Sequence, residues 1–87
     1  PHDLAELHAA RGRIYQRLGS FDLATQDYSR ALALNPRDSH TLHARGGLLM
    51  YRGQLDRALA DLDASLALRH DNPSAYYDRA WAHAAAR

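Results

Sequence analysis

The sequence predicts an all-α fold of stacked antiparallel helix hairpins, and three observations carry that prediction. The first is a period. Arg11-Gly12, Arg45-Gly46 and Arg79-Ala80 follow one another at intervals of 34 residues. Gly19-Ser20-Phe21-Asp22-Leu23-Ala24 aligns in the same register with Gly53-Gln54-Leu55-Asp56-Arg57-Ala58, and Ala31-Leu32-Ala33-Leu34 with Ser65-Leu66-Ala67-Leu68. Self-similarity at a fixed interval of roughly 20–50 residues marks a repeat array. The second is spacing, because apolar residues recur in steps of three and four, as on one face of a helix. The third is the absence of any strand pattern: Val does not occur, and Ile14 is the only Ile.

Each helix has its own start and stop. Asp3 followed by Glu6 has the form of a capping box, so a first helix starts near Leu4. Leu4, Leu7, His8, Arg11, Ile14, Tyr15 and Leu18 then give its periodic face. Gly19 can take the left-handed conformation that ends a helix, and Ser20 is placed to cap the next. The second helix carries Phe21, Ala24, Tyr28, Ala31, Leu32 and Leu34, and Asn35-Pro36 stops it, since proline lacks the N–H a helix needs. Asp38 or Ser39 caps a third helix running to about Arg52, ended by Gly53. A fourth covers Leu55 to Leu68. His70 falls where Pro36 predicts a proline. Asn72-Pro73 reads instead as a cap followed by proline at the first position of a fifth helix, about Pro73 to Ala86.

Composition narrows the function classes. Eighty-seven residues make one small domain, marginal for a single core but sufficient for an array that buries its apolar faces between neighbouring repeats. The formal net charge of +1 predicts no strong pull toward nucleic acid or an anionic membrane. No Cys is present, which removes disulfides and thiolate metal sites and is compatible with cytoplasm or periplasm, cytoplasm being the expectation. No apolar run reaches the length of a membrane span, and no signal peptide is visible. Every basic residue is Arg, and Glu6 is the lone Glu among the acidic ones. This bias points to a GC-rich bacterial genome, and the start at Pro1 to a segment of a longer protein.

A 34-residue helix–turn–helix unit with small residues at set points resembles the tetratricopeptide repeat, and the likeness covers essentially the whole chain. In the first repeat the family's marked positions hold His8, Arg11, Gly12, Tyr15, Ala24, Tyr28, Ala31 and Pro36. In the second they hold Leu42, Arg45, Gly46, Leu49, Ala58, Leu62, Ser65 and His70, and a third, half-length copy shows Tyr76, Arg79, Ala80 and His83. Arg at the position of the consensus Leu, Ser65 and His70 depart from the pattern. The resemblance implies a right-handed solenoid of two full units plus one further helix, with repeats at about 5–38 and 39–72 and the first helix of a third, or a capping helix, at 73–87.

Physical reasons stand behind the small residues. Gly12 and Gly46 lie where the two helices of a hairpin cross, faced by Ala24 and Ala58, and a side chain there pushes the backbones apart. Replacing Gly46 by Leu overpacks the crossing by roughly 1–3 kcal/mol. The recurring Arg reads as one half of an ion pair, because Asp27 and Asp61 share its interval and could reach Arg45 and Arg79 of the following hairpin. The other reading is a ligand contact. Structure is favoured, since interface residues must repeat while binding residues need not.

In this family the first helix of each repeat forms a concave wall, so the resemblance implies a groove that binds a peptide or protein. Its candidate residues are Arg13, Gln16 and Arg17, then His40, His43, Met50 and Tyr51, then Tyr77, Asp78 and Trp81, with Glu6, Ala9, Ala44, Gly47 and Ser74 beside them. Aromatics, Met and Arg are the types enriched in interfaces. Trp81, expected opposite Gly47, is the leading anchor. It would otherwise pack against a further helix. One subfamily is excluded, the clamp that holds chaperone C-terminal carboxylates. Its Lys, Asn, Asn, Lys and Arg positions here hold Ala9, Arg13, Ala44, Ser74 and Asp78, and Asp78 repels a carboxylate.

Chemistry finds little foothold. His40 and His43 share a helix face, but no His-Glu-x-x-His pattern occurs, and His2, His8, His70 and His83 scatter, so no metal and no cofactor is expected. Gly46-Gly47 lies mid-helix and is not a phosphate loop. No serine elbow appears. The expectation is therefore an interaction module and not an enzyme. The rival is a scaffold that forms a homo-oligomer through the Tyr76, Ala80 and His83 face of the last helix and the apolar tail to Arg87.

Overall fold

The computed structural model describes residues 3–87 and contains five α-helices: α1 (Leu4–Arg17), α2 (Phe21–Leu34), α3 (Ser39–Tyr51), α4 (Leu55–Leu68) and α5 (Pro73–Ala85). No strand occurs among the described residues. Pro1 and His2 lie outside them. The chain divides into two compact units, Pro1–Arg37 and Asp38–Arg87. The first is the α1–α2 hairpin. The second is the α3–α4 hairpin with α5 packed mainly on α4 and more lightly on α3.

Helix ends follow the sequence signals in part. Asp3 caps α1 by accepting a hydrogen bond from the Ala5 N–H at 2.9 Å. Glu6 lies 3.9 Å from Arg13, one turn and more further along the helix. Asp38, rather than Ser39, caps α3: its carboxylate accepts from Thr41 N at 3.3 Å and from Thr41 Oγ1 at 2.7 Å. Asn72 caps α5 through Ala75 N at 3.4 Å. Ser20 stands at the cap position of α2, yet its side chain makes no capping bond, and the same holds for Gln54 before α4. Both hairpin turns instead depend on Gly19 and Gly53, at φ 78° and 80°, where any other residue is strained. Proline is dispensable at the end of a hairpin. Arg69 leaves α4 at φ −140° and ψ 103°, close to the −140° and 84° of Asn35 before Pro36, with His70 in the proline's place.

In the first unit the sequence periodicity gave the right element but the wrong phase. Leu4, Leu7, Ile14 and Leu18 are all more than half exposed, while Ala5, Ala9 and Gly12 form the buried face of α1. The reason is the hairpin crossing, where a Cβ on Gly12 would stand 2.7 Å from Cε1 of Tyr28 and 3.3 Å from the Ala24 carbonyl. Such close approach admits small residues, so the small-residue stripe decides the packing. Ala24, Tyr28, Ala31 and Leu32 answer it from α2. Tyr28 is buried, and its hydroxyl donates to Gln16 Oε1 at 2.7 Å. Burial raises the pKa of this phenol above its ordinary value.

The second unit repeats the design with different contacts. A Cβ on Gly46 would meet Leu62 Cγ at 3.0 Å and Asp61 Cβ at 3.1 Å, and Ala58 on the same helix is fully buried. Ser65 stands where the repeat pattern has alanine. It is fully buried, and its hydroxyl donates to the Ser39 carbonyl at 2.9 Å while Ser39 Oγ reaches the Ser65 carbonyl at 3.2 Å. A buried hydroxyl is costly only when unpaired, so this departure links α3 to α4 and does not weaken the repeat.

The recurring Arg and Asp form forked pairs inside each hairpin. Arg11 Nε and Nη2 donate to the two carboxylate oxygens of Asp27 at 2.7 and 2.8 Å. Arg45 does the same to Asp61, at the same two distances. The expectation joined each Asp to the Arg of the next hairpin, but each fork closes on the Asp 16 positions later, within its own. Arg79 accordingly bonds Asp63 at 3.2 Å and not Asp61. Asp27 has no exposed surface and also receives Arg30, so the hydrogen bond from Arg11, with that from Arg30, holds its carboxyl below the usual carboxylate range despite burial.

Candidate functional site

The side chains that neither recur nor pack mark two faces, one in each unit. On α1, Arg13, Gln16 and Arg17 are exposed and line a shallow depression of about 410 Å³. Gln16 is fixed there by Tyr28, and Arg13 by its loose pairing with Glu6. Ala9, expected on this wall, belongs to the core at 3% exposure.

The second face lies where α3 and α5 meet. His43 and Gly47 stand one turn apart on α3, and Asp78 of α5 is seated against both. His43 Nε2 lies 3.0 Å from Asp78 Oδ2. A Cβ on Gly47 would stand 3.5 Å from that same oxygen, with no other neighbour within 4 Å. The slot beside Gly47 is therefore occupied by Asp78 and not by Trp81. Trp81 lies one turn beyond Asp78 on α5, half exposed, with Tyr77 more open still. Tyr51 is exposed at the end of α3, Met50 is half-buried, His40 exposed, Ala44 half-buried and Ser74 exposed.

Asn72, which the sequence marks only as a cap, completes this face. Its Oδ1 accepts the Ala75 N–H, which leaves Nδ2 turned to His43 Nδ1 at 3.2 Å. An amide nitrogen can only donate, so His43 Nδ1 accepts and the ring carries its proton on Nε2, donated to Asp78. The cap of α5 thus sets the tautomer of a side chain on α3. Nothing in the one-letter pattern announces this, because Asn72 and His43 are 29 residues apart and the link needs the fold.

Among the described residues no group of three or more His, Asp or Glu side chains is placed to hold a metal ion. No helix among them is long and apolar enough to cross a membrane.

Five helices paired as antiparallel hairpins at a 34-residue interval, with glycine at the crossings, define a helical-repeat protein. Comparison names the repeat. The tetratricopeptide repeat description matches residues 5–38, and a second description of the same repeat matches residues 46–86. The chain belongs to the tetratricopeptide repeat family. It is 31% identical over 72 residues to the human mitochondrial import receptor subunit TOM70, an alignment spanning 83% of this chain and 12% of the receptor. Its fold is similar to the first tetratricopeptide domain of Spaghetti (RPAP3) bound to the HSP90 peptide SRMEEVD, with a TM-score of 0.91 at 21% identity, covering 97% of this chain and 67% of that one.

Proposed function

We propose that the chain is a protein-interaction module, binding a peptide or protein partner through residues of its first helices: Arg13, Gln16 and Arg17 in the first unit, and His40, His43, Met50, Tyr51, Tyr77, Asp78 and Trp81 in the second. The observation that carries this reading is the α3–α5 face. Tyr77 and Trp81 are 70% and 52% exposed beside a polar pair held rigidly by its own hydrogen bonds. Rigid aromatic side chains next to oriented polar groups lose little entropy on binding and are the usual anchors of interfaces. The repeat relative solved with an HSP90 peptide supports a peptide-binding role, although Asp78 in place of a basic residue argues against a carboxylate ligand of that kind here.

Partner capture from lysate, compared between the wild type and the Arg17→Ala/Trp81→Ala variant, tests the reading. Loss of partners at unchanged melting temperature is expected. Identical partner lists would remove these residues from the site. Self-association is the second reading, favoured by the exposed Tyr76, Ala80 and His83 along α5. Sedimentation across a concentration range decides it, because a monomer at high concentration excludes the homo-oligomer.

A further inference from the structure

We propose that the α3–α5 face selects a basic side chain, arginine or lysine, in its partner, with Asp78 as the ionic acceptor and Trp81 as the aromatic wall. This rests on the interaction-module reading and specifies the chemistry of its ligand.

Asp78 differs from the buried carboxylates Asp27 and Asp61. Asp27 and Asp61 are each closed by an arginine fork on both oxygens. Asp78 is about as shielded as His43, at 23% and 22% side-chain exposure, but its one ion-pair neighbour among the described residues is that imidazole. Asn72 occupies Nδ1 as a donor, so the imidazole meets Asp78 through its Nε2–H as a hydrogen-bond donor. The arginines on the neighbouring elements have carboxylate partners of their own. Arg79 goes to Asp63, Arg45 to Asp61, and Arg69 to Asp71 in the α4–α5 connection. His40, one turn before His43, is exposed. Asp78 Oδ2 is taken by His43, whereas Oδ1 has no hydrogen-bond partner among the described residues. A half-buried carboxylate with one oxygen satisfied and the other open favours a cation.

The aromatic residues decide which cation. Trp81 follows Asp78 by one turn on α5, the spacing that puts neighbouring side chains on one helix face, and Tyr77 lies one turn before Trp81. A guanidinium or ammonium set between the carboxylate and Trp81 gains a charge-assisted hydrogen bond and the face of an indole together. The chain already uses this chemistry within itself, since the Arg79 guanidinium lies 5.2 Å from the Tyr76 ring centre and that of Arg11 5.9 Å from Tyr15.

Trp81 is the only tryptophan, so its emission reports on this face alone. The test titrates the chain with three capped tripeptides, Ac-Ala-Arg-Ala-amide, its citrulline isostere and Ac-Ala-Glu-Ala-amide. The expected result is a saturable change with the arginine peptide, about tenfold weaker with citrulline, which keeps the shape and loses the charge, and weakest with glutamate. Asp78→Asn keeps an acceptor for His43 Nε2 and so keeps the fold. It is expected to remove the arginine-over-citrulline preference at unchanged melting temperature. Equal affinity for all three peptides, or a preference that survives Asp78→Asn, overturns the basic selectivity while leaving a peptide-binding face. Silence of Trp81 toward every peptide overturns both readings.

Discussion

Two glycines in equivalent repeat positions differ in what they exclude. A Cβ on Gly12 runs into the ring of Tyr28, which is buried and pinned through its hydroxyl, so the ring cannot yield. A Cβ on Gly46 meets the branched end of Leu62 at 3.0 Å, which can shift by a few tenths of an ångström. Gly12→Ala is therefore expected to destabilise by about 1–3 kcal/mol. Gly46→Ala should cost less, because its closest contact is longer, 3.0 Å against 2.7 Å, while the helix-propensity gain of up to about 1 kcal/mol is common to both. Urea unfolding of both variants checks this, and equal losses would refute the distinction. Asp27 gives a pH signature. Its folded pKa is depressed by Arg11 and Arg30, so its stabilisation is fully present above the unfolded carboxyl value of about 3.9 and is lost as pH falls through the folded one. The urea midpoint is expected to drop below about pH 4, and Asp27→Asn to lack that part of the drop. A variant with the wild-type acid profile would show that the pair contributes nothing.

Among elements, the helices were readable because glycine, proline and capping side chains act locally. What the sequence misjudged was phase and pairing. The large apolar residues of α1, Leu4, Leu7 and Ile14, are placed inward by hydrophobicity alone, but the α1–α2 crossing is close and Gly12 dictates which face turns in. The interval of Arg and Asp was equally clear, but a repeat interval cannot tell a partner 16 residues later from one in the preceding hairpin. Ser65 illustrates the same limit, since its value depends on Ser39 facing it across α3 and α4. Ser65→Ala restores the family's residue and is nonetheless expected to cost about 1 kcal/mol, because the Ser39 carbonyl loses its buried donor. A stabilised Ser65→Ala chain would make the hydroxyl pair incidental.

At the scale of the molecule, residues that recur build each hairpin, and residues that do not recur are left on the surface. Gly12, Gly46, Ala24, Ala58, Asp27 and Arg45 are held in crossings or forks, whereas Arg17, Tyr77 and Trp81 stay open to a partner. Ala80, grouped with the frame by its interval, is exposed on α5. Of the candidate site, the residue types and helices were readable from the chain, but the Asn72–His43–Asp78 link was not, because it joins a loop and two helices that only the fold brings together. Binding should therefore be read face by face. Amide chemical-shift mapping of the full chain with a captured partner does this most directly. The predicted result is a set of shifts at Arg13, Arg17, His43, Tyr77, Asp78 and Trp81. Shifts confined to Tyr76, Ala80 and His83, with those six residues silent, would contradict it.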